Sequence, residues 1–79
     1  MSKKEKIEDK IKDLNEMRAV YHRDLEEFEK QHKENEISEE ELEKHKINYE
    51  NKREKIRIKI HRLEEKLEQM AKKPINKLL

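Results

Sequence analysis

The sequence predicts an all-α fold, a two-helix antiparallel coiled-coil hairpin that forms an oligomer, on the basis of three observations. Charged residues make up 52% of the chain and apolar residues only 30%, a balance typical of long helices with a narrow apolar seam. Glycine is absent and the single proline is Pro74, so neither of the two residue types that most disfavour helices occurs before the tail. The third observation is a seven-residue ladder in which nine of ten side chains are large and apolar or aromatic: Ile7, Leu14, Tyr21, Phe28, Asn35, Leu42, Tyr49, Ile56, Leu63 and Met70.

A turn at residues 35–38 is predicted from the sequence around the polar rung of the ladder. Asn35 tolerates the left-handed backbone that ends many helices. Ser38 can cap a second helix by accepting the N–H of Glu41, whose carboxylate can accept the N–H of Ser38 in return. We therefore expect one unit over residues 1–79, with helix 1 at about 3–34, helix 2 at about 39–73 and a tail at 74–79 that begins at Pro74.

One continuous long helix in a coiled-coil dimer is the alternative, because the seven-residue phase crosses the turn without a slip. Such a dimer would place His32, Glu39 and Lys46 in the centre of its seam, which is costly. The hairpin is therefore favoured. In the hairpin we expect facing pairs along the two helices: Phe28 with Leu42, Tyr21 with Tyr49, Leu14 with Ile56, Ile11 with Ile60, and Ile7 with Leu63.

The ten residues from Asn35 to Lys44 resemble the turn of short helical-hairpin modules known as SHOCT domains. Those modules carry a glycine near the position of Ile37, and this chain has none. The resemblance implies a turn between two helices and implies little about activity.

Self-association is expected because a single two-helix seam buries few side chains. We predict a homodimer that forms a four-helix assembly. Six apolar side chains are candidate contacts in this dimer. Four lie off the ladder, namely Met17, Val20, Ile47 and Ile58, and two lie where helix 2 extends past the open end of helix 1, namely Leu67 and Met70.

Charge is segregated along the chain although the formal net charge is +1. Residues 16–51 carry a net charge of −6, and the two ends together carry +7. A hairpin would therefore have an acidic turn and a basic open end. The densest basic run could contact a protein partner or the phosphates of a nucleic acid through Lys52, Lys55, Arg57, Lys59 and Arg62.

Catalytic and metal-binding patterns are weak. The chain has no cysteine and no glycine-rich phosphate loop. Glu29 and His32 match one Glu-x-x-His element, but a di-iron bundle needs two such elements and two further inward glutamates. We therefore expect no catalytic residues, no metal site, no cofactor and no small-molecule substrate.

The expected function is that of a non-enzymatic protein–protein interaction module, an adaptor or an assembly or regulatory component that acts through coiled-coil association. A nucleic-acid-binding accessory protein that uses the basic open end is the alternative. The sequence has no apolar run of membrane-spanning length, so we expect a cytoplasmic protein without a membrane partner.

Overall fold

The computed structural model consists of two α-helices joined by a short turn, which confirms the predicted all-α hairpin. Helix α1 spans Lys3–Lys33 and helix α2 spans Glu39–Leu78. The structure describes the backbone of residues 2–78 and the side chains of residues 2–72. The longest dimension of the molecule is 64 Å, far shorter than the roughly 105 Å of an unbroken helix of about 70 residues. The continuous helix is therefore not the form of this chain.

The turn begins with the left-handed residue that the sequence predicted. Asn35 has a φ of 59°. Its N–H donates to the carbonyl of His32 at 3.0 Å, and the N–H of Glu36 donates to the carbonyl of Gln31 at 2.8 Å. These two bonds form a Schellman motif, which satisfies carbonyl groups that the end of α1 would otherwise leave unpaired. The motif reverses the chain direction within a few residues.

Serine side chains cap the first turn of both helices. The N–H of Glu41 donates to the Ser38 hydroxyl at 3.1 Å, as predicted for α2. The return bond from the Ser38 N–H to the Glu41 carboxylate is not among the hydrogen bonds of the described residues. The sequence analysis missed the second cap, in which Ser2 accepts the N–H of Glu5 at 3.1 Å. The Ser-x-x-Glu spacing at residues 2–5 is the signal that would have found it.

The seam between the helices follows the ladder but is thin. Its buried apolar side chains are Ile7, Leu42 and Ile56, which are 8%, 7% and 4% exposed. The other apolar and aromatic rungs within residues 2–72 are half-buried. Lys46 would lie in the seam of the continuous-helix dimer. In the hairpin it is exposed, and the neighbouring His45 is half-buried instead. Burial of an imidazole costs less free energy than burial of an ammonium group, because an imidazole can be buried in its neutral form.

Two of the predicted facing pairs, Tyr21 with Tyr49 and Ile11 with Ile60, line shared grooves between the helices, and two ring contacts join other residues. The ring of Phe28 stacks on that of His45, with centroids 3.5 Å apart and planes at 5°, three residues beyond the expected partner Leu42. Tyr49 makes an edge contact with His22 at 6.2 Å, one residue past the expected Tyr21.

The end of α2 also differs from the expectation that Pro74 would stop the helix. The helical backbone continues through Pro74 to Leu78. Proline has a φ close to that of a helix, and its cost is the lost hydrogen bond to the carbonyl four residues earlier. A helix can therefore continue past it for a final turn. The side chains of the expected tail, residues 74–79, lie outside the described part of the chain.

Replacement of Asn35 by valine is expected to destabilise the hairpin by about 1–2 kcal/mol, because a β-branched residue is strained at positive φ. The matched control is Asn35→Gly, which we expect to be neutral or mildly stabilising. Urea unfolding followed by helical circular dichroism at one fixed protein concentration measures both. Equal stability of the two variants would show that this turn does not need the left-handed residue.

Replacement of Ile56 by alanine is expected to lower the free energy of unfolding by about 2 kcal/mol or more, because Ile56 is 4% exposed in the seam. Ile58→Ala is the control on the same helix. Ile58 is 37% exposed, so its truncation should change stability by about 0.5 kcal/mol or less. The two variants are compared in the same urea titration, and a similar loss in both would contradict the assignment of the seam.

Candidate association face

Three adjoining grooves form one long side of the hairpin, which we call the lysine face. The groove nearest the turn and the groove nearest the open end each lie between the helices, and the third lies along α1. Tyr21 lines both the first and the third groove, and Asp13 lines both the second and the third. The shared residues make the three grooves one continuous surface. Its α2 edge and its α1 edge carry different chemistry.

The α2 edge of the lysine face is a stripe of basic side chains that we call the basic stripe. Its members are spaced alternately three and four residues apart, which places them on one side of a helix over about 21 Å: Lys52, Lys55, Lys59, Arg62 and Lys66. Continued at the same spacing, the stripe passes through Asn48, His45 and Gln69, and it contains no acidic residue before it reaches Glu41 beside the turn. None of its five members has a carboxylate within 4.0 Å among the described side chains.

A tyrosine on α1 orients the first member of the basic stripe. The ammonium group of Lys52 lies over the ring of Tyr21, 4.7 Å from its centroid. Such a contact attracts a cation to the negative face of the ring and is worth about 0.5–1 kcal/mol at an exposed site. Lys52 is thereby drawn across the groove toward α1 and links the two edges of the lysine face.

The groove at the open end has an apolar floor and a basic rim. Leu14 and Leu63 form the floor, and the basic rim consists of Lys10, Lys59, Arg62 and Lys66. Asp13 is the one acidic side chain that lines it. The open volume is about 410 Å³. A partner here would have to offer negative charge at its edges and apolar side chains at its centre.

The α1 edge of the lysine face presents two apolar side chains to solvent. Met17 is 44% exposed and Val20 is 43% exposed, and both line the groove along α1. They flank Arg18, the midpoint of the 31-residue helix. Toward the turn, the turn groove is lined by one acidic side chain, Asp24, and by Lys52 of the basic stripe.

The opposite face of the hairpin is lined by Arg18, His22, Arg53, Arg57 and His61, and its two α2 arginines have partners on their own helix. Arg53 pairs with Glu50 at 3.6 Å, and Arg57 forms two hydrogen bonds to Glu54. The Arg57 guanidinium lowers the pKa of the Glu54 carboxyl, and that carboxylate in turn raises the pKa of Arg57. Arg57 therefore lies apart from the other four predicted contact residues.

Two histidines and Arg18 on the opposite face also have side-chain partners on their own helices. His61 lies 2.8 Å from Glu65. His22 lies 2.9 Å from Glu26. Arg18 donates to the side-chain oxygen of Asn15 at 2.9 Å. Arg53 and Arg57 are thus paired with carboxylates, and no described member of the basic stripe is.

The six predicted apolar contact residues do not form a single patch. Met17 and Val20 lie together on the lysine face. Ile47 and Ile58 are 55% and 37% exposed and share a different side of α2, because eleven residues make close to three helical turns. Leu67 and Met70, at the far end of α2, are half-buried.

Sequence reasoning found four members of the basic stripe but missed Lys66, Lys10 and Tyr21. Lys66 continues the alternating spacing four residues after Arg62, so the spacing itself was the signal. Lys10 and Tyr21 join the site from the other helix, and only the register between the helices places them there.

Two further features concern metals and membranes. Within residues 2–72, no three histidine or acidic side chains are grouped as metal ligands would be, and this includes the surroundings of Glu29 and His32. In the part of the chain that the structure describes, neither helix has a stretch apolar enough to span a bilayer.

Comparisons with protein-family models, with characterised proteins and with solved structures gave no match to this chain. The lysine face is therefore interpreted from its own geometry and charge.

Proposed function

We propose that this chain is a non-enzymatic interaction module that works by coiled-coil association, and that the lysine face is its binding surface. One contrast carries the proposal. Arg53 and Arg57 of the opposite face are paired with glutamates on α2, whereas the five aligned cations of the lysine face have no carboxylate within 4.0 Å among the described side chains. Unpaired charge of one sign beside exposed apolar side chains is typical of a surface that meets a complementary partner.

The thin seam also supports association. Three apolar side chains are buried between the helices, and none of them is completely inaccessible. Each apolar side chain that becomes buried adds about 1.5–3 kcal/mol. A partner that covers Met17, Val20 and the open-end groove would therefore add to a small core, and binding would stabilise the fold itself.

The shape of the grooves favours an extended partner over a small ligand. The three grooves are open and run along the length of the hairpin, so they would leave a small molecule largely in solvent. A helix laid along the lysine face would instead contact the basic stripe and the two apolar side chains at the same time. Helices that bind in this way use anchors three, four and seven residues apart.

Sedimentation equilibrium over a wide range of protein concentrations tests association in its simplest form, that of the chain with itself. We expect a reversible dimer that weakens as salt is added, because its surface charges are screened. The double variant Met17→Gln, Val20→Gln should weaken the dimer about tenfold or more. Ile47→Gln, Ile58→Gln is the matched control and should leave it unchanged. A monomer at all concentrations would contradict self-association.

Nucleic-acid binding is the second candidate, and the basic stripe is the observation that favours it. Five cations along about 21 Å of helix can follow a phosphate backbone with an affinity that falls steeply with salt and does not depend on sequence. If this function is correct, Lys59→Gln, Arg62→Gln should weaken the binding of a labelled duplex in a low-salt anisotropy titration. Arg53→Gln, Arg57→Gln removes equal charge from the opposite face and should have little effect. No binding at low salt would remove this candidate.

A further inference from the structure

The basic stripe places like charges next to one another along α2. Its five members form four successive pairs at spacings of three or four residues. No acidic residue lies three or four positions away from four of them: Lys52, Lys55, Lys59 and Lys66. The fifth member, Arg62, has Glu65 three residues away, but that carboxylate lies 2.8 Å from His61. Like charges at these spacings destabilise a helix, so the stripe opposes the folding of the free hairpin. Local rules of stability are commonly broken where a surface has another role.

Across the groove, the α1 edge of the lysine face has the opposite charge. Three acidic side chains of α1 line the three grooves: Asp13, Glu16 and Asp24. Among the described α1 side chains that line these grooves, Lys10 is the one cation. The charge of the face therefore changes across its width, from α1 to α2. A partner that matches this surface must have different charges on its two flanks.

The open-end groove supplies the apolar part of the surface. Leu14 and Leu63 form its floor and are half-buried, so each leaves apolar surface to be covered. Four cations and one carboxylate line the same groove, which gives it a net charge of +3. An occupant must therefore place apolar side chains on the floor and carboxylates beside the α2 edge.

We propose that the lysine face binds an amphipathic α-helix of a partner protein, which has carboxylates along one flank and apolar side chains along the stripe that enters the groove. The carboxylates pair with the basic stripe. The apolar side chains cover Leu14, Leu63 and the exposed Met17, and the other flank, beside the α1 edge, is neutral or basic. Hairpin and partner helix together form a three-helix bundle. The inference rests on the proposed function and adds to it the chemistry of the partner.

The spacing of the basic stripe favours a helical partner over an extended one. The five members of the stripe span about 21 Å. On a helix, five carboxylates at alternating spacings of three and four residues span the same length, so each carboxylate can meet its own cation. On an extended strand, five side chains of one face span about 27 Å. The pairs at the two ends would then be out of register by about 3 Å each.

Two features of the lysine face favour this helix over a nucleic acid. Leu14 and Leu63 offer apolar surface, which phosphates do not match. The carboxylates of Asp13 and Glu16 would lie beside a phosphate backbone, and like charges brought together at an interface cost free energy. An amphipathic helix places neutral or basic side chains at those positions. It therefore matches both edges of the face and its floor.

A fluorescein-labelled synthetic helix tests the proposal. The probe has about 18 residues, with Glu along one flank, Leu along the groove-facing stripe and Lys along the other flank, and a staple on its outward side holds it helical. In an anisotropy titration, we expect the hairpin to bind this probe with an affinity that falls as salt is added. Lys59→Gln, Lys66→Gln should weaken binding about tenfold or more.

The matched control for the hairpin removes the same charge from the opposite face. Arg53→Gln, Arg57→Gln should weaken binding of the probe by about twofold or less, because these side chains do not line the lysine face. Equal weakening by the two double variants would show an effect of net charge and would overturn the proposal.

Two altered probes separate a specific helix from simple attraction between opposite charges. In the first, the same residues are rearranged so that Glu is spread around the helix. In the second, each Leu is replaced by Ala, which keeps the helix and removes the side chains that cover the floor of the groove. Both keep the net charge of the probe, and both should bind about tenfold more weakly or worse. Undiminished binding of either one would overturn the proposal.

The stability of the free hairpin provides a second readout. Lys59→Gln removes like-charge contacts with Lys55 and Arg62, so we expect the melting midpoint of the isolated chain to rise by a few degrees. Arg57→Gln removes the pair with Glu54 and should leave the midpoint unchanged or lower it. Weaker binding by a more stable chain shows that the binding is not lost through unfolding. A lower midpoint for Lys59→Gln would mean that the stripe stabilises the hairpin and would count against the proposal.

The outcomes separate this inference from the proposed function. Binding that requires the basic stripe, the helical order of Glu and the Leu side chains supports the inference. A chain that self-associates in sedimentation but does not bind the probe overturns the inference and leaves the proposed function intact. A chain that does neither contradicts both. A chain that binds a labelled duplex more tightly than the probe would assign the lysine face to nucleic acid, and the inference would be wrong.

Discussion

The left-handed turn at Asn35 is the constraint on which the rest of the structure depends. Neither helix can bury its ladder alone, so each needs the other at a defined register. That register is set where α1 ends in its Schellman motif and α2 begins at the Ser38 cap. A change of one residue in the register between the helices would bring different side chains of α2 into the seam. The contact of Lys52 with Tyr21 and the rim of the open-end groove both follow from this one geometric choice.

Much of the fold was present in the sequence because it depends on local signals. Asn35 and Ser38 act through bonds to residues within four positions of them, so a reading of neighbouring residues was enough to place the turn. The seam was also predictable, because a period of seven identifies which side of each helix is apolar. The buried side chains Ile7, Leu42 and Ile56 are all rungs of that ladder.

The contacts between helices were less predictable because they depend on small energy differences. The stacking of His45 on Phe28 competes with other offsets of the two helices that bury similar apolar area. A one-dimensional pattern does not rank these offsets. The same limit affected the site: the run from Lys52 to Arg62 was visible, but the separation of Arg57 from it depends on which side of α2 faces which groove. Lys10 and Tyr21 could join the site only once the register was known.

The thin seam gives the proposed association a physical consequence for folding. A hairpin with three buried apolar side chains has little stability of its own, and any partner that binds the folded form stabilises it by mass action. Folding and association are then coupled, so the population of folded hairpin rises with the concentration of partner. A large share of that binding energy would come from exposed charges, which salt screens within about 10 Å. In the proposed association, the hairpin would therefore respond to both concentration and ionic strength, because the lysine face would both bind the partner and add buried surface to the fold.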